Sequence, residues 1–325
     1  MNSMQSPVQD GRQNLAGKWT LAASGGKFQG SMFLPGDVHS ALVANGVIPH
    51  PYEGRNEEAV QWVAQEDWRV SRTFEMPSSF PNGGWYLDID YLDTIADVRV
   101  NGDPVLSAKN CFRRYRPDVS KVLKPGRNTI EILFHSNPKA ANKLQASMPF
   151  YIPYSSDNCP IPNVNMLRKP QCHFGWDWNI AIAPLGLYGR IELKRHELAR
   201  IEHVQTQQFH GDGFVDLTVT VQMEARASGD VAISLSLDGK ASRRTVSVVA
   251  GVNTHVETIR IDKPKLWWPA GFGAQHLYAL EAAVEGQTER RSIGLRTVEL
   301  ITDTDAAGSR FAFKVNGREI YCRGS

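Results

Sequence analysis

The sequence has no long hydrophobic run. No stretch approaches the roughly 18 consecutive apolar residues a membrane helix requires, and the opening MNSMQSPVQDGRQN carries no apolar export signal. The expectation is a cytoplasmic protein with no membrane partner. Charge of one sign is missing as well. Thirty-six Lys and Arg face 34 Asp and Glu, a net of +2, so no overall basic field invites nucleic acid. The four cysteines (Cys111, Cys159, Cys172 and Cys322) form no CxxC pair, which argues against a zinc ribbon or a thioredoxin-type motif. Without an export signal they read as free thiols. Gly-rich phosphate loops, GxSxG elbows and HExxH motifs are all lacking, so nucleotide, serine-hydrolase and metalloprotease chemistry are disfavoured. No fixed-period repeat and no low-complexity tract occurs.

What is present is a globular balance. The 325 residues are 42% hydrophobic and 22% charged, which at about 150 residues per domain points to two domains. Strand signals dominate. Trp85–Leu92 alternates Trp85, Leu87, Ile89 and Tyr91 against Asp88 and Asp90, predicting a strand with one wet face. Ile95–Val100 leads into Asn101-Gly102, a hairpin turn signal, and Asn128–His135 follows the turn Lys124-Pro125-Gly126. A short helix is predicted from Asn56, with Asn56 as its cap and Glu57 and Glu58 at its positive end. Beyond Met148 a Pro-rich stretch without period reads as a long irregular loop of the kind that often carries function.

Near Arg195 a boundary is predicted, followed by a fresh series of strands at Asp216–Met223, Val231–Leu237, Thr245–Val249, Thr254–Ile261 and Leu277–Val284. Asp238-Gly239 closes one hairpin. That spacing predicts an immunoglobulin-like sandwich. A polar connector, Thr302–Ser309, precedes a final hairpin, Phe311–Val315 and Glu319–Arg323 around Asn316-Gly317. That hairpin reads as the opening of a further element.

Among candidate chemical groups, Trp176-Asp177-Trp178 stands out. Two indoles flanking one carboxylate suit a sugar, because indole faces pack on pyranose C–H groups while Asp accepts hydroxyl hydrogen bonds. An extended segment would send both Trp one way and Asp177 the other, leaving at least one Trp in the core. Both readings stay open on the residues alone. His39 and His173 have no HxH or HExxH companion and read as satisfied structural histidines. Asp88, Asp90 and Asp93 read as a solvated sheet face rather than a calcium loop. Arg113, Arg114 and Arg116, with Phe112 and Tyr115 between them, read as partners of local carboxylates rather than as a nucleic-acid patch. Trp267-Trp268-Pro269 reads as packing or a domain junction. No metal site is predicted.

Several segments together resemble the β-mannosidases of glycoside hydrolase family 2. They are Leu34–Pro77 (LPGDVHSALVANGVIPHPYEGRNEEAVQWVAQEDWRVSRTFEMP), Leu92–Gly102 (LDTIADVRVNG), Phe134–Pro138 (FHSNP), Trp176–Leu193 (WDWNIAIAPLGLYGRIEL), Lys265–Leu280 (KLWWPAGFGAQHLYAL) and Ile293–Leu300 (IGLRTVEL). Phe311–Ser325 (FAFKVNGREIYCRGS) is similar to the family's entry into its catalytic barrel. LDTIADVRVNG and LWWPAGFG are common to the wider family, including β-galactosidases and β-glucuronidases. PGDVH, YEGRNE and WDW resemble the mannosidase branch more narrowly.

The resemblance implies an all-β chain. Residues 10–196 would form a jelly-roll, galactose-binding-like sandwich, residues 197–300 an immunoglobulin-like sandwich, and residues 301–325 the start of a TIM barrel. A barrel needs about 250 residues, so the 25 that follow Leu300 (325 − 300) cannot hold one. The family's two catalytic carboxylates, about 5–5.5 Å apart in a retaining enzyme, are barrel glutamates. No catalytic residue is therefore assigned here, no cofactor is implied, and the chain alone is expected to be folded and inactive. What carries over is Asp177 as a ligand of terminal mannose hydroxyls, with Trp176 and Trp178 shaping its loop. Where many relatives continue with Gly-Pro, this chain has Asn179-Ile180. The implied partners are a β-mannoside or manno-oligosaccharide and, within the molecule, the catalytic barrel. A stand-alone carbohydrate-binding module, or the same region of a β-galactosidase or β-glucuronidase, is the alternative.

Overall fold

The computed structural model describes residues 8, 11–26, 28–78, 83–157 and 159–324. Most of the opening segment on which the export-signal reading rests lies outside the described residues, as do Asp10 and Ser325. The chain folds as two compact units, Met1–Arg195 and His196–Ser325.

In the first unit a six-stranded antiparallel sheet runs in the order Gln29–Leu34, Gly17–Ala23, Trp68–Met76, Gly126–Phe134, Ala96–Val100, Asp103–Ala108. The period of two explains the pairing. Asn128, Ile130, Ile132 and Phe134 point inward from one strand, and Trp68, Val70, Phe74 and Met76 from its neighbour. Opposite lies a three-stranded sheet of Arg12–Asn14, Ile191–His196 and Gly84–Ile89. Leu87, Ile89, Ile191 and Leu193 from this sheet share one core with Trp19, Leu21, Val98 and Ile132. Burial of apolar area at about 25 cal/mol per Å2 drives this association. The Asn101-Gly102 turn takes φ of 53° and 90°, as the hairpin signal requires.

Two helices are not marked by any strong period in the sequence. Val38–Ala44 is capped by Asp37, whose carboxylate accepts from the Ser40 amide at 2.9 Å and the Ser40 hydroxyl at 2.6 Å. Asn137–Ala146 is capped by Ser136 and carries Pro138 in its first turn. The helix predicted from Asn56 is only Asn56–Ala59, followed by Trp62–Gln65. Asn56 is not its cap. That position is Arg55, and the Asn56 amide donates instead to the His50 carbonyl at 2.9 Å. Helix Asn137–Ala146 covers a satellite core of Ala141, Val164, Leu167, Phe174, Ala181 and Ala183.

The wet face expected for Trp85–Leu92 is not found. The strand ends at Ile89, every residue of Gly84–Ile89 is buried, and Tyr91 turns away at φ 56°. Asp88 is buried because three cations surround it. Arg114 binds both its oxygens at 2.5 Å, Lys194 donates at 2.6 Å, and Arg116 lies at 3.7 Å. Burial alone would raise its carboxyl pKa, but Arg114 and Lys194 hold it well below the ordinary range. Asp93 is buried too, and of the three only Asp90 remains on the surface, 3.6 Å from Arg190. The arginine reading stands, since Arg114 and Arg116 pair with Asp88 and Arg113 lies over the Tyr115 ring.

The second unit packs a three-stranded sheet (Ala199–Gly211, Phe214–Ala225, Gly251–Asp262) with a four-stranded one. The order in the latter is Lys240–Val248, Gly229–Leu237, Tyr278–Val284, Gln287–Ile293. Leu217, Val219, Val221, Ile233, Leu235 and Leu280 fill the core between them. Asp238-Gly239 adopts positive φ at the predicted hairpin. Beyond them, Val298–Ile301, Ala312–Val315 and Arg318–Ile320 form a small antiparallel sheet. The four cysteines are free thiols. No helix among the described residues is long and apolar enough to cross a membrane.

Candidate functional site

The Trp-Asp-Trp segment is a hairpin tip. Strands Phe174–Trp176 and Asn179–Ala181 pair antiparallel, Phe174 opposite Ala181 and Trp176 opposite Asn179, which leaves Asp177-Trp178 as the two-residue turn. This rules out the open reading in which the segment is extended and at least one indole enters the core. Trp176 is 49% exposed and Trp178 69% exposed. Strand alternation does not extend through a turn, so Asp177 and Trp178 are freed from the pleat.

The base of the hairpin is fixed. Phe174 is wholly buried in the satellite core, with the Lys169 ammonium 5.2 Å from its ring centre. The Ala181 amide donates to a Glu57 carboxylate oxygen at 2.7 Å, and the Gln61 side chain donates to the Ala181 carbonyl at 2.6 Å. Asn179 is held on both sides: its amide donates to the Cys172 carbonyl at 2.7 Å, and its oxygen accepts from the Tyr52 hydroxyl at 2.9 Å. The short helix read from Asn56 thus matters through Glu57, which anchors the hairpin. A depression of about 500 Å3 lies around Trp176, Asp177 and Trp178, with Tyr52, Glu57 and Asp157 on its wall. Asp177 is exposed at its edge, free to accept hydrogen bonds from a polyol.

Beneath the hairpin sits a buried ion pair that sequence reasoning missed. The Lys169 ammonium lies 2.9 Å from an Asp93 oxygen and 2.5 Å from the Pro184 carbonyl, and both charged side chains are fully buried. His173 Nδ1 approaches Asp93 at 3.4 Å, and the Thr94 hydroxyl also donates to it. Burial alone would raise the Asp93 carboxyl, but Lys169 and these contacts hold it below its ordinary value. Burial pushes Lys169 down, and Asp93 opposes that shift. The pair ties Asp93 to the segment that leads into the hairpin. In the sequence Asp93 is marked only as part of a solvated carboxylate face, and Lys169 is not marked at all.

His173 is expected to be a satisfied structural histidine, but its Nδ1 makes no hydrogen bond among the described residues and lies 3.4 Å from Asp93. His39 is not a satisfied one: it is 2% exposed, and neither ring nitrogen has a hydrogen-bond partner among the described residues. Burial holds it neutral, lowering its pKa to about 4. Trp267 and Trp268 are half-buried packing residues of the second unit, with Arg296 over the Trp267 ring at 4.9 Å. No group of three or more His, Cys, Asp or Glu side chains among the described residues could hold a metal.

The chain is thus two largely β units, the first of which presents an exposed carboxylate between two exposed indoles. Comparison with known proteins specifies the family. Residues 19–189 match the glycosyl hydrolase 2 galactose-binding domain-like family, and residues 199–296 match glycosyl hydrolases family 2. The chain belongs to glycosyl hydrolase family 2. It is 30% identical over 305 residues to beta-mannosidase B of Emericella nidulans, covering 90% of this chain and 36% of that protein. To a probable beta-mannosidase of Caenorhabditis elegans it is 29% identical over 334 residues, covering 96% and 37%. The solved β-D-mannosidase of Dictyoglomus thermophilum superposes with a TM-score of 0.87 at 28% identity, over 97% of this chain and 40% of that one. The chain therefore spans a little over a third of the length of the curated relatives it matches.

Proposed function

We propose that the chain is the non-catalytic N-terminal region of a retaining β-mannosidase that hydrolyses terminal, non-reducing β-D-mannose. The observation that carries this reading is the rigidly based hairpin that holds Asp177 outward between two exposed indoles. The similarity to β-mannosidases across nine-tenths of the chain supports the choice of sugar. Asp177 accepts hydrogen bonds from mannose hydroxyls, and Trp176 and Trp178 wall the sugar's apolar face. Bond cleavage falls to two carboxylates of a catalytic barrel, to which residues 301–325 lead. The exposed Val298, Leu300, Phe311 and Tyr321 around the last small sheet suit an intramolecular contact with that barrel. A protein with no such barrel leaves Asp177 in open water, which competes for every sugar hydrogen bond.

The test has two arms. The 325-residue chain, purified and offered an aryl β-mannoside, should show no turnover above buffer. The same chain, grafted in place of the matching part of the Dictyoglomus thermophilum β-D-mannosidase, should give a chimera that hydrolyses aryl β-mannosides in preference to β-galactosides and β-glucuronides. Turnover by the chain alone, or a folded chimera that prefers another sugar, would overturn the proposal.

A further inference from the structure

A second concavity in the first unit adjoins the Asp177 depression. Its volume is about 470 Å3, within the range of small-molecule pockets. Both depressions share Tyr52, Asn179 and Ile180, but the second is built from different polar groups: Asp37, His39, Ser40, His50, His173 and Tyr188. Val43, Ile182 and Pro184 supply apolar wall. His39 is the informative residue, because a buried imidazole with both nitrogens unpartnered destabilises the fold unless something uses it.

The lining defines the ligand class. A neutral imidazole offers one donor and one acceptor. Burial keeps His39 neutral, and burial likewise raises the Tyr188 pKa and so keeps that hydroxyl a donor. Asp37 spends one lone pair of each oxygen on Ser40, leaving the others to accept. An anion would face the Asp37 carboxylate, and the nearby Lys169 charge is already matched by Asp93. A metal ion lacks its ligand set among the described residues. Paired donors and acceptors beside apolar wall complement the alternating hydroxyl and C–H surface of a sugar.

We propose that this pocket binds a neutral hexose unit through His39, Asp37 and Tyr188, as a site distinct from the Asp177-Trp178 turn although it shares Asn179 and Ile180 with the hairpin. The ligand class follows from the lining. Only the choice of a manno-configured probe rests on the function proposed above. The probe is β-1,4-mannobiose, titrated into the 325-residue chain and its variants while their backbone amide resonances are followed by NMR, with the His39 imidazole as a further reporter in the parent. The expected result is a saturable shift at millimolar sugar, the same in Asp177→Ala, and at least tenfold weaker binding in His39→Leu and in Ser40→Phe. Ser40→Phe narrows the mouth from an exposed position and serves as the test should His39→Leu fail to fold. Absence of a saturable shift at tens-of-millimolar sugar would overturn the inference, as would a shift with inorganic phosphate but not with sugar. Binding lost in Asp177→Ala yet kept in His39→Leu would place the sugar at the hairpin, overturning this inference and leaving the proposed function intact.

Discussion

Replacing Lys169 with methionine should damage the first unit more than removal of any exposed cation. At 2.9 Å, the Lys169–Asp93 attraction is about 6 kcal/mol at an effective dielectric near 20. Part of that is recovered when the lysine is absent. The Thr94 hydroxyl remains, and the His173 ring still lies 3.4 Å from Asp93. The net cost at pH 7 should therefore fall within the roughly 3–5 kcal/mol typical of stranding one member of a buried pair. Methionine keeps the volume, so little of this cost is a cavity. Urea unfolding followed by the fluorescence of the buried Trp19, Trp68 and Trp85 would measure it. In the variant, Asp93 has lost the cation that kept its pKa low, so burial raises it above the unfolded value. The deficit should then shrink as pH falls and Asp93 takes up a proton. The double variant Lys169→Met/Asp93→Leu should recover most of the loss. A loss below about 1 kcal/mol for Lys169→Met would refute the reasoning.

Three further outcomes follow from the same structure. The pKa of His39 falls from 6.5 to about 4 on folding, so the unfolded chain binds the extra proton in that interval. Stability should drop as pH falls from 6.5 to 4, by up to roughly 3 kcal/mol, and His39→Leu should abolish this limb in pH-dependent melts. Below about pH 4 a second loss should begin, because Asp88, whose folded pKa is depressed, contributes stability only while ionised. Arg114→Ala should reduce that acid limb. Gly186→Ala should destabilise or misplace the Asp37 turn, since a Cβ at this position would lie 2.3 Å from the Gly36 carbonyl oxygen and 2.7 Å from the Asp37 Cα. A thermal melt unchanged from the parent would contradict that packing.

The strands were legible where one side of the chain is solvated. Gly126–Phe134 and Phe214–Ala225 alternate because one face meets the core and the other meets water or polar neighbours. Gly84–Ile89 misled because Asp88 mimics a wet face while being enclosed by Arg114, Arg116 and Lys194, residues 26, 28 and 106 positions away in sequence. The candidate site was legible by composition but not by geometry. The alternation rule placed one indole inside, whereas the two-residue turn puts both outside. Asp37 and Ser40, three residues apart before an apolar run, carried a helix-start signal that could have located Val38–Ala44. Nothing local foretold the orphaned imidazole of His39. Its environment is assembled from Tyr52, Asn179 and Tyr188, which only the tertiary fold brings near it.

The central claim is that this chain lends Asp177 to a mannose-binding site completed by a catalytic barrel. Its most direct test is the kcat/KM of Asp177→Ala, measured on an aryl β-mannoside in the Dictyoglomus chimera. Loss of a charged hydrogen-bond acceptor predicts a fall of about 10- to 100-fold, with a smaller fall for Asp177→Asn. An Asp177→Ala chimera that turns over the substrate at the parent's rate would contradict the account.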